Sequence, residues 1–126
     1  MRVLVFESSK DRAKLIQDLL SEYRYKIYVH SRCEHPLNEI RHTRPSLIIV
    51  HANTTPKKGL DVLENIKNNP RYRSIPVIFI SNFASQELSE RIRSFPNVDY
   101  LVEPFKIKNF RHIVERWVNF RSLYVN

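Results

Sequence analysis

Four apolar runs in this sequence stop abruptly at residues able to do acid–base or coordination chemistry. Val3 to Phe6 gives way to Glu7 and Ser8, Leu47 to Val50 to His51, Val77 to Ile80 to Ser81, and Leu101-Val102 to Glu103. Two carboxylates and an imidazole form a ligand set suited to Zn²⁺, Mn²⁺ or Fe²⁺ if Glu7, His51 and Glu103 converge. His51 could instead carry a phosphoryl group, because imidazole is a competent nucleophile. In a third arrangement Glu7 or Glu103 pairs with a protonated His51 and orders the region without catalysis. All three require the run ends to lie together in the folded chain.

Composition removes several other kinds of site. A length of 126 residues, with 42% of them hydrophobic, suits one globular domain spanning 1–126 with a real core. The chain has one Gly, where average usage would supply about nine, so glycine-rich phosphate cradles of the P-loop or dinucleotide type are excluded. Cys33 stands alone and can build neither an intrachain disulfide nor a thiolate metal cluster, which fits a reducing compartment. The longest aliphatic run, Leu47 to Val50, is far too short to cross a bilayer. The expectation is a soluble cytoplasmic protein without a membrane partner. Lys and Arg number 21 against 13 Asp and Glu, a net charge of +8 that favours acidic partners.

The elements that must position the run ends follow from the period of the apolar residues. Arg2 to Glu7 reads as a strand, and Ser8-Ser-Lys-Asp11 has the form of a capping box opening a helix striped by Leu15, Ile16, Leu19, Leu20 and Tyr23. Tyr25 to His30 reads as a second strand. Pro36 starts a short helix to Thr43, and Ser46 to His51 is apolar without alternation, as in a strand buried on both faces. Gly59 precedes a helix marked by Leu60, Leu63 and Ile66, which Pro70 breaks. Ile75 to Ser81 is a fourth strand, and Leu88, Ile92 and Phe95 mark a fourth helix. Val98 to Glu103 is a fifth strand, and Phe110, Ile113, Val114 and Trp117 stripe a last helix. Five strand–helix units predict an α/β doubly wound parallel sheet with five helices on both faces. In such sheets ligands sit outside the carboxyl ends of the strands, where Glu7, His51, Ser81 and Glu103 are placed.

With these landmarks the chain resembles a receiver domain of the bacterial response-regulator family over almost its whole length. The opening Val-Leu-Val-Phe-Glu-Ser resembles the family's strand ending in an acidic pair, and Pro45 to His51 the strand that delivers the phosphoacceptor aspartate. Asn53 and Gly59 stand at the expected offsets, Ser81 at the family's Ser/Thr, and Tyr100-Leu-Val-Glu-Pro-Phe105 at its Tyr-x-x-Lys-Pro-Phe segment. The resemblance implies a flavodoxin-like strand order 2-1-3-4-5 and a role in two-component signal transduction. It also implies that Glu7, Ser8, His51, Asn53, Ser81 and Glu103 form a degenerate phosphorylation pocket. His51 stands for the nucleophilic Asp, Glu7 with Ser8 for the two acidic Mg²⁺ ligands, and Glu103 for the Lys that pairs with the phosphoryl group. Of these only Ser81 keeps the family's type. Glu103 reverses the sign of the charge where phosphoryl charge would develop, and a degraded Mg²⁺ site leaves no cofactor. The expectation is a non-phosphorylatable pseudo-receiver, a protein-protein interaction module rather than an enzyme, in which a Glu–His51 pair exchanges the charges of the family's Asp–Lys contact.

A partner face is expected on the fourth helix, fifth strand and last helix, the face through which the family pairs with itself or with effectors. Tyr100, Lys106, Lys108, Arg111 and Arg116 are its candidate contacts, with Arg121, Phe120, Leu123 and Tyr124 extending its charge and apolar character. The occupant is expected to be a signalling protein with an acidic surface, or a second copy of the chain. Nucleic acid is the rival, because basic residues with interleaved aromatics hold phosphates and stack bases. His30, His35, His42 and His112 show no ligand spacing, and Cys33 lacks a motif that would mark a reactive thiol.

Overall fold

The computed structural model describes the backbone of residues 1–124 and the side chains of residues 1–117. The side chains of Phe120, Arg121, Leu123 and Tyr124 lie outside the described ones. The elements alternate as β1 (Arg2–Phe6), α1 (Lys10–Leu20), β2 (Lys26–His30), α2 (Pro36–Thr43), β3 (Leu47–His51), α3 (Gly59–Lys67), β4 (Val77–Ser81), α4 (Gln86–Arg93), β5 (Val98–Val102) and α5 (Ile107–Tyr124). The strands form one sheet in the order β2-β1-β3-β4-β5, with every pairing parallel. The predicted fold class and strand order are those of the structure.

Unbroken apolar runs explain the middle of the sheet. Every residue of β3 and β4 is buried, because helices cover both faces. On one face Ile16, Leu19 and Leu20 of α1 and Phe110 and Val114 of α5 pack on Val3, Val5, Ile49 and Ile78. On the other, Ile40 of α2, Val62, Leu63 and Ile66 of α3 and Ile92 of α4 pack on Phe6, Val50 and Phe79. No helix among the described residues is long and apolar enough to cross a membrane.

Two local expectations change. The N-cap of α1 is Ser9, whose side chain accepts from the Arg12 N–H at 3.3 Å. Ser8 is committed elsewhere: its hydroxyl donates to the Ser31 carbonyl at 2.7 Å and accepts from the Thr55 N–H at 3.0 Å. It therefore staples together the loops that follow β1, β2 and β3. Glu7 and Glu103 fall one residue beyond β1 and β5, yet their N–H groups donate to the His30 and Ser81 carbonyls. The ladder thus continues far enough to fix both carboxylate-bearing residues.

The lone glycine is required by close approach. A Cβ on Gly59 would meet the His51 carbonyl oxygen at 2.2 Å and the Ala52 Cα at 2.8 Å, both backbone atoms unable to swing away. Its absence lets the first turn of α3 lie against the end of β3, with the Gly59 N–H donating to the Ala52 carbonyl at 3.0 Å. Gly59→Ala must push α3 away from the strand that carries His51. A loss of about 1–3 kcal/mol in chemical denaturation is expected, and an unchanged unfolding midpoint would show that this contact is not a constraint.

Candidate functional site

The carboxyl ends of β1, β3, β4 and β5 converge as parallel neighbours must, and at their centre lies His51, 1% exposed. Its Nε2 is 2.8 Å from Glu103 Oε1, and its Nδ1 accepts the Asn53 N–H at 3.0 Å. A nitrogen that accepts a backbone N–H carries no proton itself, so the bonding assigns the neutral tautomer with the proton on Nε2, donated to Glu103. Both ring nitrogens are therefore committed. The expected pairing of His51 with a glutamate is present, through Glu103, as a hydrogen bond from Nε2 to the carboxylate.

The cation beside Glu103 is Arg12, whose Nε lies 3.3 Å from both carboxylate oxygens. Arg12 was not among the residues singled out from the sequence. Its signal was position: it stands in the first turn of α1, five residues past Glu7, where α1 rises over the same sheet edge. The site thus keeps a positive charge although the fifth strand delivers a negative one.

Glu7, 2% exposed, lies on the other edge of the ring. Its Oε1 accepts the Ser9 N–H at 2.9 Å, while Oε2, 3.9 Å from His51 Nδ1, has no hydrogen-bond partner. Burial pushes its carboxyl above the ordinary glutamate range, against the lowering effects of the Ser9 N–H and Arg12. Glu7, His51 and Glu103 do come together, but the two carboxylates face opposite nitrogens of one imidazole and cannot bind a single ion with it. Among the described residues no group of three or more His, Cys, Asp or Glu side chains is placed to hold a metal. The three-ligand metal centre expected as an alternative is not what the geometry provides.

The remaining pocket residues act through unexpected atoms. Asn53 contributes its backbone N–H and its side chain is exposed. Ser81 is fully buried, and its hydroxyl donates to the Phe83 carbonyl at 2.8 Å while accepting the Phe83 N–H at 3.2 Å. Tyr100 also donates its hydroxyl to the Phe83 carbonyl, at 2.9 Å, and its ring packs against Phe79. One carbonyl of the loop after β4 therefore holds both side chains, and Phe83 itself is 56% exposed. Cys33 is buried, and burial raises its thiol to about 11, which keeps it protonated and unreactive.

The expected basic face is partly spent internally. Arg111 pairs with Glu22 at 2.9 Å, towards α1 and away from β5. Arg116 pairs with Asp99 of β5, which also accepts the Trp117 indole N–H at 2.5 Å. Both guanidiniums have an acidic partner within the chain, and both side chains remain about half exposed. Lys106 and Lys108 have no acidic partner among the described residues.

Residues 3–115 match the family described as the response regulator receiver domain. The chain is 27% identical over 116 residues to the polar-differentiation response regulator DivK of Brucella anthropi, covering 92% of this chain and 94% of that protein. The signal receiver domain of a DNA binding response regulator protein (merR) from Colwellia psychrerythraea 34H superposes with a TM-score of 0.86 at 16% identity, over 94% of this chain and 98% of that one. The receiver domain of the sensor histidine kinase PA1611 from Pseudomonas aeruginosa PAO1, with a magnesium ion in its active site cleft, gives 0.79 at 20% identity, over 94% of this chain and 97% of that one. These structures establish the shared fold.

Two outcomes follow from the site. Glu103→Ala leaves the buried His51 N–H without an acceptor and should cost about 1–3 kcal/mol. The double variant with His51→Ala should lose less than the sum of the single losses, and additive losses in chemical denaturation would mean that the pair does not interact. Because the folded-state pKa of Glu7 lies above its unfolded value, the folded chain holds a proton that the unfolded chain releases. The associated stability is present below the ordinary glutamate range and is lost as pH rises through the raised value. Glu7→Gln keeps an acceptor for the Ser9 N–H and has no proton to lose, so denaturation at stepped pH should show that decline only in the parent protein.

Proposed function

The chain belongs to the response regulator receiver domain family of two-component signalling, and from that premise we propose that it is a non-phosphorylatable receiver working as a constitutive protein-binding module. The observation that carries this reading is the commitment of both His51 nitrogens. An aspartyl phosphate cannot form at an imidazole, and a phosphohistidine needs a ring nitrogen with a free lone pair aimed at the donor. Nδ1 uses its lone pair on the Asn53 N–H, and Nε2 carries the proton given to Glu103. Freeing either nitrogen opens a buried hydrogen bond, and an incoming phosphate would also meet the Glu103 carboxylate.

The donor set does not fit the family's Mg²⁺. That ion demands near-octahedral oxygen coordination, in general from carboxylates, phosphate oxygens and water. Ser8 has its hydroxyl engaged on Ser31 and Thr55, and His51 replaces an oxygen donor. Among the buried side-chain atoms of the described residues, Glu7 Oε2 is the one left without a hydrogen-bond partner, and it faces the imidazole. We therefore assign the pocket a structural role, with no cofactor and no enzymatic step, in a cytoplasmic protein.

Binding falls to the face of α4, β5 and α5. Without a phosphoryl group to draw Ser81 inward, the Ser81–Phe83–Tyr100 arrangement remains one state, so affinity for a partner does not depend on phosphodonor. Lys106 and Lys108, without an acidic partner among the described residues, suit a signalling protein with an acidic surface. A net charge of +8 disfavours a second copy on this face.

Intact-mass measurement after acetyl phosphate treatment, quenched at neutral pH to preserve phosphohistidine, should show no phosphate adduct. A substantial adduct that disappears in His51→Ala would contradict the reading.

A further inference from the structure

At the opposite end of the sheet from His51, a second concavity of about 450 Å³ is lined by Arg41, Arg44, Arg71 and Tyr72, with Ile40 and Ile75 among its apolar wall. Arg44 precedes β3 and Ile75 precedes β4. The five residues of β3, at about 3.3 Å each, put roughly 17 Å of strand between this cavity and the degenerate pocket.

Three features make it a candidate site. First, Arg41, Arg44 and Arg71 are exposed, and among the described residues no carboxylate lies within ion-pairing distance of any of them. Glu39, the acidic residue of α2, pairs with His30 at 3.1 Å. Three guanidiniums without acidic partners around one concavity favour an anion, and their planar forks match phosphate oxygens. Second, Arg44 caps α2 in the left-handed region, at φ 54°, with its N–H on the Ile40 carbonyl at 2.8 Å. Glycine or asparagine is usual at such a position, so an arginine bears a backbone cost to place its side chain at this mouth.

Third, the loop carrying Arg71 and Tyr72 is held in place. The Arg71 N–H donates to Asn69 Oδ1 at 2.8 Å, and the buried Lys67 donates its Nζ to the Arg73 and Ile75 carbonyls at 2.9 and 2.7 Å. On the other wall Arg2 Nη1 satisfies the Thr43 carbonyl at the end of α2. Both walls are thus set before any ligand arrives, which spares the ordering cost of binding.

We propose that this cavity binds a nucleoside di- or triphosphate, its phosphates held by Arg41, Arg44 and Arg71 and its nucleoside lying against the half-buried Tyr72 and Ile75. A volume of about 450 Å³ is in the usual range for small-ligand sites, roughly 300–1,000 Å³. A bare anion would use the arginines and leave the apolar wall wet, whereas a nucleotide uses both.

Isothermal titration calorimetry of the whole chain with ADP, ATP, adenosine, inorganic tripolyphosphate and a poly-dT oligonucleotide tests the proposal. Saturable one-site binding of ADP and ATP is expected, weakening with added salt and exceeding that of adenosine or tripolyphosphate. Each arginine removed should weaken it about tenfold. Arg41→Ala and Arg71→Ala change exposed side chains, and Arg44→Gly suits the left-handed backbone, so unchanged melting temperatures will separate lost binding from lost fold. No saturation by ADP or ATP at millimolar concentration, or equal affinity in the arginine variants, overturns the proposal. Adenosine binding as tightly as ATP removes the role of the phosphates, and tripolyphosphate binding as tightly as ATP removes that of the nucleoside. Oligonucleotide binding tighter than ATP and lost in the same variants makes this a nucleic-acid contact and overturns it as well.

Discussion

A buried imidazole must satisfy two nitrogens of different character, and the way His51 does so governs the whole carboxyl edge of this sheet. One nitrogen donates to Glu103 and the other accepts from the Asn53 N–H, which joins β3, the loop that follows it and the residue just beyond β5. Leaving either nitrogen unpaired inside the protein would cost about 1–3 kcal/mol, so the ring is held by the penalty of releasing it as much as by the bonds themselves. Arg12 extends the chain of contacts to α1 by resting on Glu103. An acidic residue in place of the family's lysine is thereby accommodated on both sides, by an N–H and by a guanidinium.

This arrangement braces the pocket from several sides. Here Ser81 and Tyr100 converge on a single carbonyl, that of Phe83, and nothing in the pocket draws them off it. Ser8 binds two neighbouring loops to each other. The one discordant group is Glu7, whose second oxygen is buried without a partner. It marks the point where the pocket still carries a cost, and therefore where pH reaches the fold.

The strands were legible because β3 and β4 are uninterrupted apolar runs ended by a single polar residue, as suits a doubly covered parallel strand, whereas their order followed from the resemblance to receiver domains. The convergence of Glu7, His51, Ser81 and Glu103 follows from that topology. Which atoms would meet was not legible. A period of two or of 3.6 locates a side chain on a face, but whether His51 is neutral or charged depends on a backbone N–H two residues away. Ser8 and Ser9 are the same residue type in adjacent places, and only the proximity of Ser31 and Thr55 decides which one caps α1. Arg12 escaped notice because its partner lies 91 positions away. The pairing of the basic last helix was hidden for a similar reason: Glu22 and Asp99 lie outside the helix that carries Arg111 and Arg116.

The claim that both His51 nitrogens are committed is open to direct observation by imidazole ¹⁵N NMR at neutral pH. The account predicts one protonated nitrogen, Nε2, and one bare nitrogen, Nδ1, with resonances that stay in place when acetyl phosphate and Mg²⁺ are added. A doubly protonated ring, or a new resonance from a phosphorylated nitrogen after that addition, would contradict it.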